Sequence, residues 1–561
     1  MILMCQQGVG VDQEGQAESS LFWGRISFRE WRGRGFRPGR RSVSLPPRHQ
    51  AVPPVCPRCP ISRDTMISQH GLRVLPLLIL LLAACSVGPD YVVPDYPVPD
   101  AWESEAAADV EGEVPPILDW WTEFGDEILD SLMIRARDAN LDLRIAVGRV
   151  SEARAFRQIA GGDYWPQVEG NGSFSRTDSP LLSDGPTNTW KTGLGAFWEL
   201  DLFGRVRRGH EATDAEFHAA IEDYRDVQVS LYAEVATSYV NYRALQARVK
   251  FAEDNITSQR ETLDVVVARQ EAGLVPQLDV ARAQSNLANT EAAIPLLVSQ
   301  IAFERNRLSL LLGLPPGGAR LGLGERGGVP ESPDSLLTVV PANLIRRRPD
   351  IRAAERKLAA QTARVGVATA ELYPSFSLSG TFSVLSRSFD DLFTEDAVGW
   401  SVVPGFSWNL FNGGKVRGQI HVEEARVQQA LAVYEKAILS ALGEVESALV
   451  DYQQQRIRLE RLEVAVEAAQ ESVTLVTTQY IEGLTDFQSL LDAQRVLFNQ
   501  QDQMAASSGS VFTALVAVNR AIGGGWSLNE PVPDLPPEES AQAGNTPSPD
   551  AQQGDDDDVN E

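Results

Sequence analysis

The chain has 561 residues, with 76 acidic side chains against 50 basic ones and a formal net charge of −26. That balance argues against a nucleic-acid partner, which needs a basic footprint. No P-loop, dinucleotide fingerprint or nucleophile elbow is present.

Residues 1–65 carry ten Arg and five acidic residues, and include Cys56 and Cys59 as a lone CxxC pair. One such pair is half a zinc site and no second pair exists. Met66 is read as the true start and 1–65 as a misannotated leader. Without that leader the charge falls from −26 to −31. Residues 66–84 read as a signal peptide: His70 and Arg73 precede or open a short apolar run over 72–82, too short to span a bilayer. Leu82-Ala83-Ala84-Cys85 resembles a bacterial lipobox, so Cys85 is expected to be the lipidated first residue and to anchor the chain. Ser86 follows; the absence of Asp there argues against inner-membrane retention. Cys85 is then the single mature cysteine, so no internal disulfide is possible. Residues 85–118 are expected to be the anchor and an extended Pro-rich segment.

From 119 onward the same unit occurs twice. Trp198-Glu-Leu-Asp-Leu-Phe-Gly-Arg-Val206-Arg207 returns as Trp408-Asn-Leu-Phe-Asn-Gly-Gly-Lys-Val416-Arg417, an offset of 210, and Gly273 to Gln284 matches Gly483 to Gln494. Upstream the offset is 208: Asp142-Leu143-Arg144 returns as Asp350-Ile351-Arg352. The two units are placed at 119–330 and 331–526.

Each unit predicts two strands of period two. Val168, Gly170, Gly172 and Phe174 alternate with Gln167, Glu169, Asn171, Ser173 and Ser175. Trp190, Thr192, Leu194, Ala196, Trp198, Leu200 and Leu202 form the next apolar face; Phe197 is an exception on the polar one. The second unit repeats this with Phe376 to Val384 and with Trp400, Val402, Pro404, Phe406, Trp408 and Leu410. Trp near both ends of an apolar face suits a lipid-exposed barrel strand, with Trp190, Trp198, Trp400 and Trp408 as its belt. Alternation alone fits a soluble sandwich equally well, and Pro404 objects mildly to either. Four strands cannot close a barrel, since the smallest has about eight, and an open edge in lipid is untenable. A membrane reading therefore requires several chains to share one barrel. Three chains leave an opening where two fill their own interior.

Each strand pair is followed by a predicted helical hairpin. Arg205 to Ala272 and Lys415 to Glu482 lack Pro and carry apolar residues at three- and four-residue steps; each run is about 68 residues and about 100 Å long. Both stop at Gly-Leu, and return helices are expected over Gln277 to Leu312 and Phe487 to Ile522, with a kink at Pro295. Residues 527–561, with Asp555 to Asp558, read as a disordered acidic tail. His210, His218 and His421 form no ligand cluster, so no catalytic residue, metal site or cofactor is expected.

Taken in order, several segments resemble the TolC-like outer-membrane factors, in particular the lipoprotein branch of multidrug, RND-type efflux ducts. They are Trp120-Trp121-x-x-Phe124 with Leu132, the Trp198 segment, Arg347-Arg348-Pro349-Asp350-Ile351, Trp408-Asn-Leu-Phe-Asn-Gly-Gly414, Leu491-Asp492-Ala493-Gln494-Arg495 and Gly523-Gly524-Gly525-Trp526. The resemblance implies a mixed α/β membrane protein. Each chain of a homotrimer would give four transmembrane strands to a shared twelve-stranded barrel, and its hairpins would build a periplasmic tunnel. It implies a passive duct in the outer-membrane lipid, fed by an inner-membrane pump through a periplasmic membrane-fusion adaptor. The adaptor-docking tips map onto Gly273, Leu274, Gly483 and Leu484, where helix capping is the plainer role. A periplasmic gate maps onto Asp492, with Gln488 one turn earlier, and onto a Tyr480–Asp279 hydrogen bond in the closed duct. The same architecture serves type I protein secretion. A lipid-anchored periplasmic coiled-coil scaffold is the reading of a different class, but it gives no reason for four Trp on one strand face.

Overall fold

The computed structural model describes residues 86–97, 102, 118–178, 185–317, 321–323, 328–329, 346–528 and 531–533. The leader, the signal segment, Cys85 and nearly all of the acidic tail lie outside these residues. A 3-10 turn, Trp120–Phe124, leads into helix α1 (Glu127–Ala139) and helix α2 (Leu141–Gly162). Strands β1 (Gln167–Thr177) and β2 (Thr187–Leu200) come next, then helix α3 (Arg205–Glu271) and its return helix α4 (Gln277–Leu311). The second unit is α5 (Pro349–Ala370), β3 (Ser375–Ser386), β4 (Val398–Ser407), α6 (Lys415–Ile481) and α7 (Phe487–Ala521). Helix lengths recur between units: α3 and α6 have 67 residues, α4 and α7 have 35, and α2 and α5 have 22. Helix α4 runs through Pro295 without a break.

Local chemistry sets these boundaries. Gly204 and Gly414 stand before the long helices at φ 85° and 87°, a left-handed backbone that glycine adopts without penalty. In the first unit the Asp201 carboxylate accepts from Val206 N (3.2 Å) and Arg207 N (2.9 Å). Asp201 is therefore spent on satisfying orphan donors at the helix start, and β2 ends at Leu200 rather than continuing to Leu202. Phe411 holds the matching place in the second unit and cannot cap, so Asn412 accepts from Gly414 N instead.

The four strands form one antiparallel sheet in the order β1-β2-β3-β4. The register places most of the apolar positions on one face. Val168 faces Ala196, Ala196 faces Gly380 and Gly380 faces Val402; Phe174 faces Trp190; Phe382 stands between Leu194 and Trp400. The other face carries Ser377, Thr381, Ser383, Gly195, Gly399 and Ser401, with Phe197 in one row with Ser379 and Val403. Pro404 lies on β4, an edge strand within the chain, where a missing N–H is tolerated. A Cβ on Gly193 would meet the Phe382 carbonyl oxygen and stand 2.6 Å from Ser383 Cα, so β2 and β3 approach through this glycine. Gly193→Ala is expected to cost about 1–3 kcal/mol by overpacking, read as a lower denaturation temperature of the folded protein.

The main core lies near mid-helix. Trp120, Trp121, Phe124, Leu129, Leu132 and Met133 are buried against Tyr232, Tyr239, Leu308, Leu449 and Phe512. Phe124 and Phe512 have ring centroids 4.0 Å apart, and Trp121 and Tyr232 4.5 Å. The Trp120-Trp121-x-x-Phe124 motif is thus the plug that ties the N-terminal turn to both hairpins. Asp126 caps α1 through Ile128 N (2.9 Å) and also accepts from the Tyr239 hydroxyl (2.7 Å), so both its carboxylate oxygens are hydrogen-bonded at the edge of the core.

Arg348 holds the junction between the units. Its guanidinium donates to Asp350 (3.0 and 2.8 Å), to Glu444 on α6 (2.9 Å) and to the Ala521 carbonyl at the end of α7 (2.7 Å). Residues 86–97 form no helix or strand, as expected of an extended segment. This segment starts at the strand-to-helix junction: a Cβ on Gly204 would lie 2.6 Å from Ser86 Oγ, and Val87 N donates to Phe203 O (3.1 Å). It then crosses α5 at Gly366 and reaches Glu355 through the Tyr91 hydroxyl (2.8 Å).

Candidate functional site: the sheet face and the hairpin tips

Two places carry functional chemistry, at opposite ends of the long helices. At the sheet, Phe174, Leu194, Phe382, Trp400, Val402 and Phe406 are exposed on one face. A face this large and apolar marks a surface that meets lipid or protein. Trp190 is packed between Phe174 (ring centroids 4.4 Å apart) and Phe389 (5.1 Å) at the hairpin end of the sheet. Trp198 and Trp408 stand at the helix end. Trp198 Nε1 donates to Tyr164 O and Trp408 Nε1 to Leu372 O, both at 3.0 Å, so the two units repeat one hydrogen bond. Trp408 differs from expectation in one respect: β4 stops at Ser407, and Trp408 to Leu410 lie beyond the strand.

At the other end the two tips are built alike. Gly273 N donates to Gln270 O and Leu274 N to Arg269 O; Gly483 N donates to Tyr480 O and Leu484 N to Gln479 O. The glycines have φ of 73° and 74°. This is the Schellman pattern, in which Gly takes the left-handed position and the following apolar residue usually packs back on its helix. Here Leu274 and Leu484 remain exposed instead. The capping role of the glycines is fulfilled, and the two leucines are left on the surface.

The tips are held together by a small core of Val266, Val280, Ala283, Tyr480, Phe487, Leu490 and Leu491. Among the residues expected at a gate, Gln488 Nε2 donates to Asp492 (2.9 Å), both on α7, and Asp492 is exposed. Tyr480 and Asp279 are close but are not joined. The Tyr480 hydroxyl is buried with no hydrogen-bond partner among the described residues, and the Asp279 carboxylate lies 3.7 Å from Arg282. Burial pushes the Tyr480 hydroxyl above its usual range; the nearby Arg269 opposes this and Asp279 adds to it. The expected hydrogen bond is thus not formed in this chain, and the contact Tyr480 makes across the two hairpins is with Arg269. Its guanidinium lies 4.8 Å from the Tyr480 ring centroid and donates to the carbonyls of Tyr480 (2.6 Å) and Ile481 (3.2 Å). A cation of the first-unit hairpin therefore caps the C-terminus of α6, where the backbone dipole favours positive charge. Sequence reasoning passed over Arg269. The signal was present in the repeat: the position matching Arg269 in the second unit is Gln479.

Among the described residues no helix is long and apolar enough to cross a membrane, and no group of His, Cys, Asp or Glu could hold a metal ion.

Known proteins share this arrangement. The outer membrane efflux protein family matches residues 132–314 and again 340–524. Nodulation protein T of Rhizobium leguminosarum bv. trifolii is 32% identical over 455 residues, covering 81% of this chain and 97% of that protein. The toluene efflux pump outer membrane protein TtgI of Pseudomonas putida is 32% identical over 466 residues, covering 81% and 98%. The solved structure of the outer-membrane channel OprN is 37% identical, with a TM-score of 0.73, and covers 79% of this chain and 100% of that one. Duplicated hairpins, a four-stranded sheet with one apolar face, and these matches together show that the chain belongs to the outer membrane efflux protein family, whose members are outer-membrane channels with a β-barrel and a helical tunnel.

Proposed function

We propose that three copies of this chain form the passive outer-membrane duct of a tripartite efflux system. The duct conducts small molecules delivered by an inner-membrane RND-type pump through a periplasmic adaptor. One observation carries the reading: the sheet has a continuous apolar face and two unpaired edges, β1 and β4. In lipid those edges must be paired, and only other copies of the same sheet supply matching strands. Helix α6 supports it, with exposed Val433, Leu439, Val450, Ile457, Val464 and Leu475 along its length. The units at 119–330 and 331–526 supply one strand pair and one hairpin each.

Trp190, Trp198, Trp400 and Trp408 form the lipid-facing belt. Cys85 carries the lipid anchor in this reading, which the position of its neighbour Ser86 beside Gly204, at the sheet end of the long helices, supports. The tips with Leu274 and Leu484 dock the adaptor. The test is single-channel conductance of the purified protein in planar bilayers, together with its mass in detergent. A trimer with small, rarely open currents supports the duct. A soluble monomer that conducts nothing would overturn it.

Asp492 sets the ionic preference of the resting tip. Three such carboxylates around one axis repel at close range and attract cations. Asp492→Asn is expected to lower the cation-over-anion permeability ratio by about tenfold, measured as a shift in reversal potential across a salt gradient.

A further inference from the structure

Two motifs of the sequence, Trp120-Trp121-x-x-Phe124 and Gly523-Gly524-Gly525-Trp526, belong neither to the sheet nor to the tips. They meet at one cavity of about 610 Å³, with Trp121 and Trp526 on its lining. Asp130, Met133, Ile134 and Arg137 of α1 also line it, spaced three and four residues apart, so one face of that helix forms a wall. Gln228 and Tyr232, on consecutive turns of α3, form another. A cavity of this size falls in the range that takes a small organic ligand, about 300–1,000 Å³.

We propose that this cavity binds an amphipathic organic cation, a protonated amine carried on a flat apolar body. The amine sits beside Asp130, and the body lies against Trp121, Tyr232 and Trp526. The site is separate from the sheet face and the tips and stands whether or not the duct reading does.

Charge selects the sign of the ligand. Asp130 Oδ1 is buried and has no hydrogen-bond partner among the described residues. Burial pushes the Asp130 carboxyl above its usual range, and the neighbouring carboxylates of Asp126, Asp119 and Glu127 push the same way. Asp119 also lines the cavity, and its side chain does not cap the turn that follows it. The basic residue on the lining, Arg137, forms an ion pair with Asp138 (3.3 Å). An incoming cation therefore meets negative charge that the chain leaves uncompensated. An anion is repelled, and a neutral apolar ligand leaves the buried oxygen without a donor.

The rings select the body. Tyr232 is fixed on two sides: its ring centroid lies 4.5 Å from that of Trp121, and its hydroxyl accepts from Gln228 Nε2 (3.1 Å). Trp526 is held by the Arg225 guanidinium, 4.7 Å from its ring centroid, and Glu222 takes that guanidinium's charge (2.8 Å). Gly525 stands at φ 100°, and a Cβ there would lie 2.9 Å from Tyr232 Cδ2 and 3.6 Å from Trp121 Cζ3. Any side chain at 525 would crowd both rings, so glycine keeps this part of the cavity open. Fixed aromatic walls offer a flat body close contact and offer a cation the negative faces of the rings. Ile134 is 54% exposed and gives the lining an edge open to solvent.

Calorimetric titration of the full-length protein in a non-ionic detergent tests this. The probes are phenethylammonium and 2-phenylethanol, which share a body and differ in charge. Phenethylammonium is expected to bind once per chain, and 2-phenylethanol about tenfold more weakly or worse. Asp130→Asn keeps the shape and removes the charge. It should weaken phenethylammonium by about tenfold to a hundredfold, the worth of one hydrogen bond to a charged group. Ile134→Trp adds bulk from an exposed position and should abolish binding in protein that still melts cooperatively. A third probe, Nα-acetyl-lysine amide, carries the same ammonium on an aliphatic chain and should bind weakly. If it matches phenethylammonium, the cavity takes a basic side chain of a partner protein, and the small-ligand assignment fails. Equal binding of phenethylammonium and 2-phenylethanol overturns the role of Asp130. Amine binding that neither substitution changes, or no amine binding at all, overturns the site; none of these results bears on whether the protein conducts.

Discussion

Arg348→Ala is expected to destabilise the protein by about 3 kcal/mol. The guanidinium is almost fully buried and serves three chain segments at once: Asp350 at the start of α5, Glu444 on α6 and the Ala521 carbonyl ending α7. Removing it leaves these acceptors without their donor at a protein-lined site, and uncompensated buried charge is what makes such losses large. The figure sits at the lower end of the range for broken buried pairs because Glu444 retains substantial solvent contact. Asp226 on α3 sharpens the test. Its pKa is raised by burial and by the neighbouring Asp350, with Arg348 opposing the rise. A carboxyl whose folded value exceeds its unfolded one binds more protons when folded, so its contribution to stability falls as pH rises through the raised value. Without Arg348 the rise is greater. The deficit of Arg348→Ala should therefore be largest near neutral pH and narrow as Asp226 becomes protonated in acid. Denaturant midpoints at several pH values check this; a deficit that does not change with pH would show that Asp226 is not coupled to Arg348. Lys in place of Arg348 keeps the charge but cannot hold two carboxylates and a carbonyl in one plane, so it should recover part of the loss only.

The sheet and the helices were legible in the sequence to different depths, for physical reasons. The boundaries of the four hairpin helices fell within a residue of expectation, because Gly204, Gly273, Gly414 and Gly483 each mark a left-handed turn that few other residues adopt. Strand faces were legible because period two is strict and both units repeat it. Strand ends were not. Asp201 looked like a polar-face residue until its carboxylate was found capping α3, and Trp408 to Leu410 keep the alternation but lack a neighbour to pair with. The belt tryptophans were legible as apolar; the hydrogen bonds of Trp198 and Trp408 to backbone carbonyls in the preceding loops were not. At the tips the resemblance supplied Tyr480 and Asp279 as a pair. Residue type cannot show which nearby group contacts Tyr480, and in the structure it is Arg269, on its ring and its carbonyl. Departures from the repeat, such as Arg269 against Gln479, are where the two hairpins take different roles.

Arg269→Ala is expected to open the duct. This side chain joins the first-unit hairpin to the second by two hydrogen bonds to the carbonyls of Tyr480 and Ile481, and by stacking on the Tyr480 ring. Hydrogen bonds from a charged donor contribute about 1.5–3 kcal/mol each, and an exposed cation–π contact about 0.5–1 kcal/mol. Solvent at the tip reduces these figures, so a net of about 2 kcal/mol is expected to be lost. Where the contact exists in the closed tip alone, that loss multiplies the open-to-closed ratio by about thirty. Single-channel recordings should show a matching rise in open probability with little change in the conductance of the open state. The contrast lies in Tyr480→Phe combined with Asp279→Ala. That pair removes no hydrogen bond between the two residues and spares both Arg269 contacts to backbone. It should leave gating near the wild-type level, and the loss of a buried unpaired hydroxyl makes Tyr480→Phe neutral or mildly stabilising. If the double variant opens the channel and Arg269→Ala does not, the hairpins are held by Tyr480 and Asp279 after all, through a rearrangement on assembly.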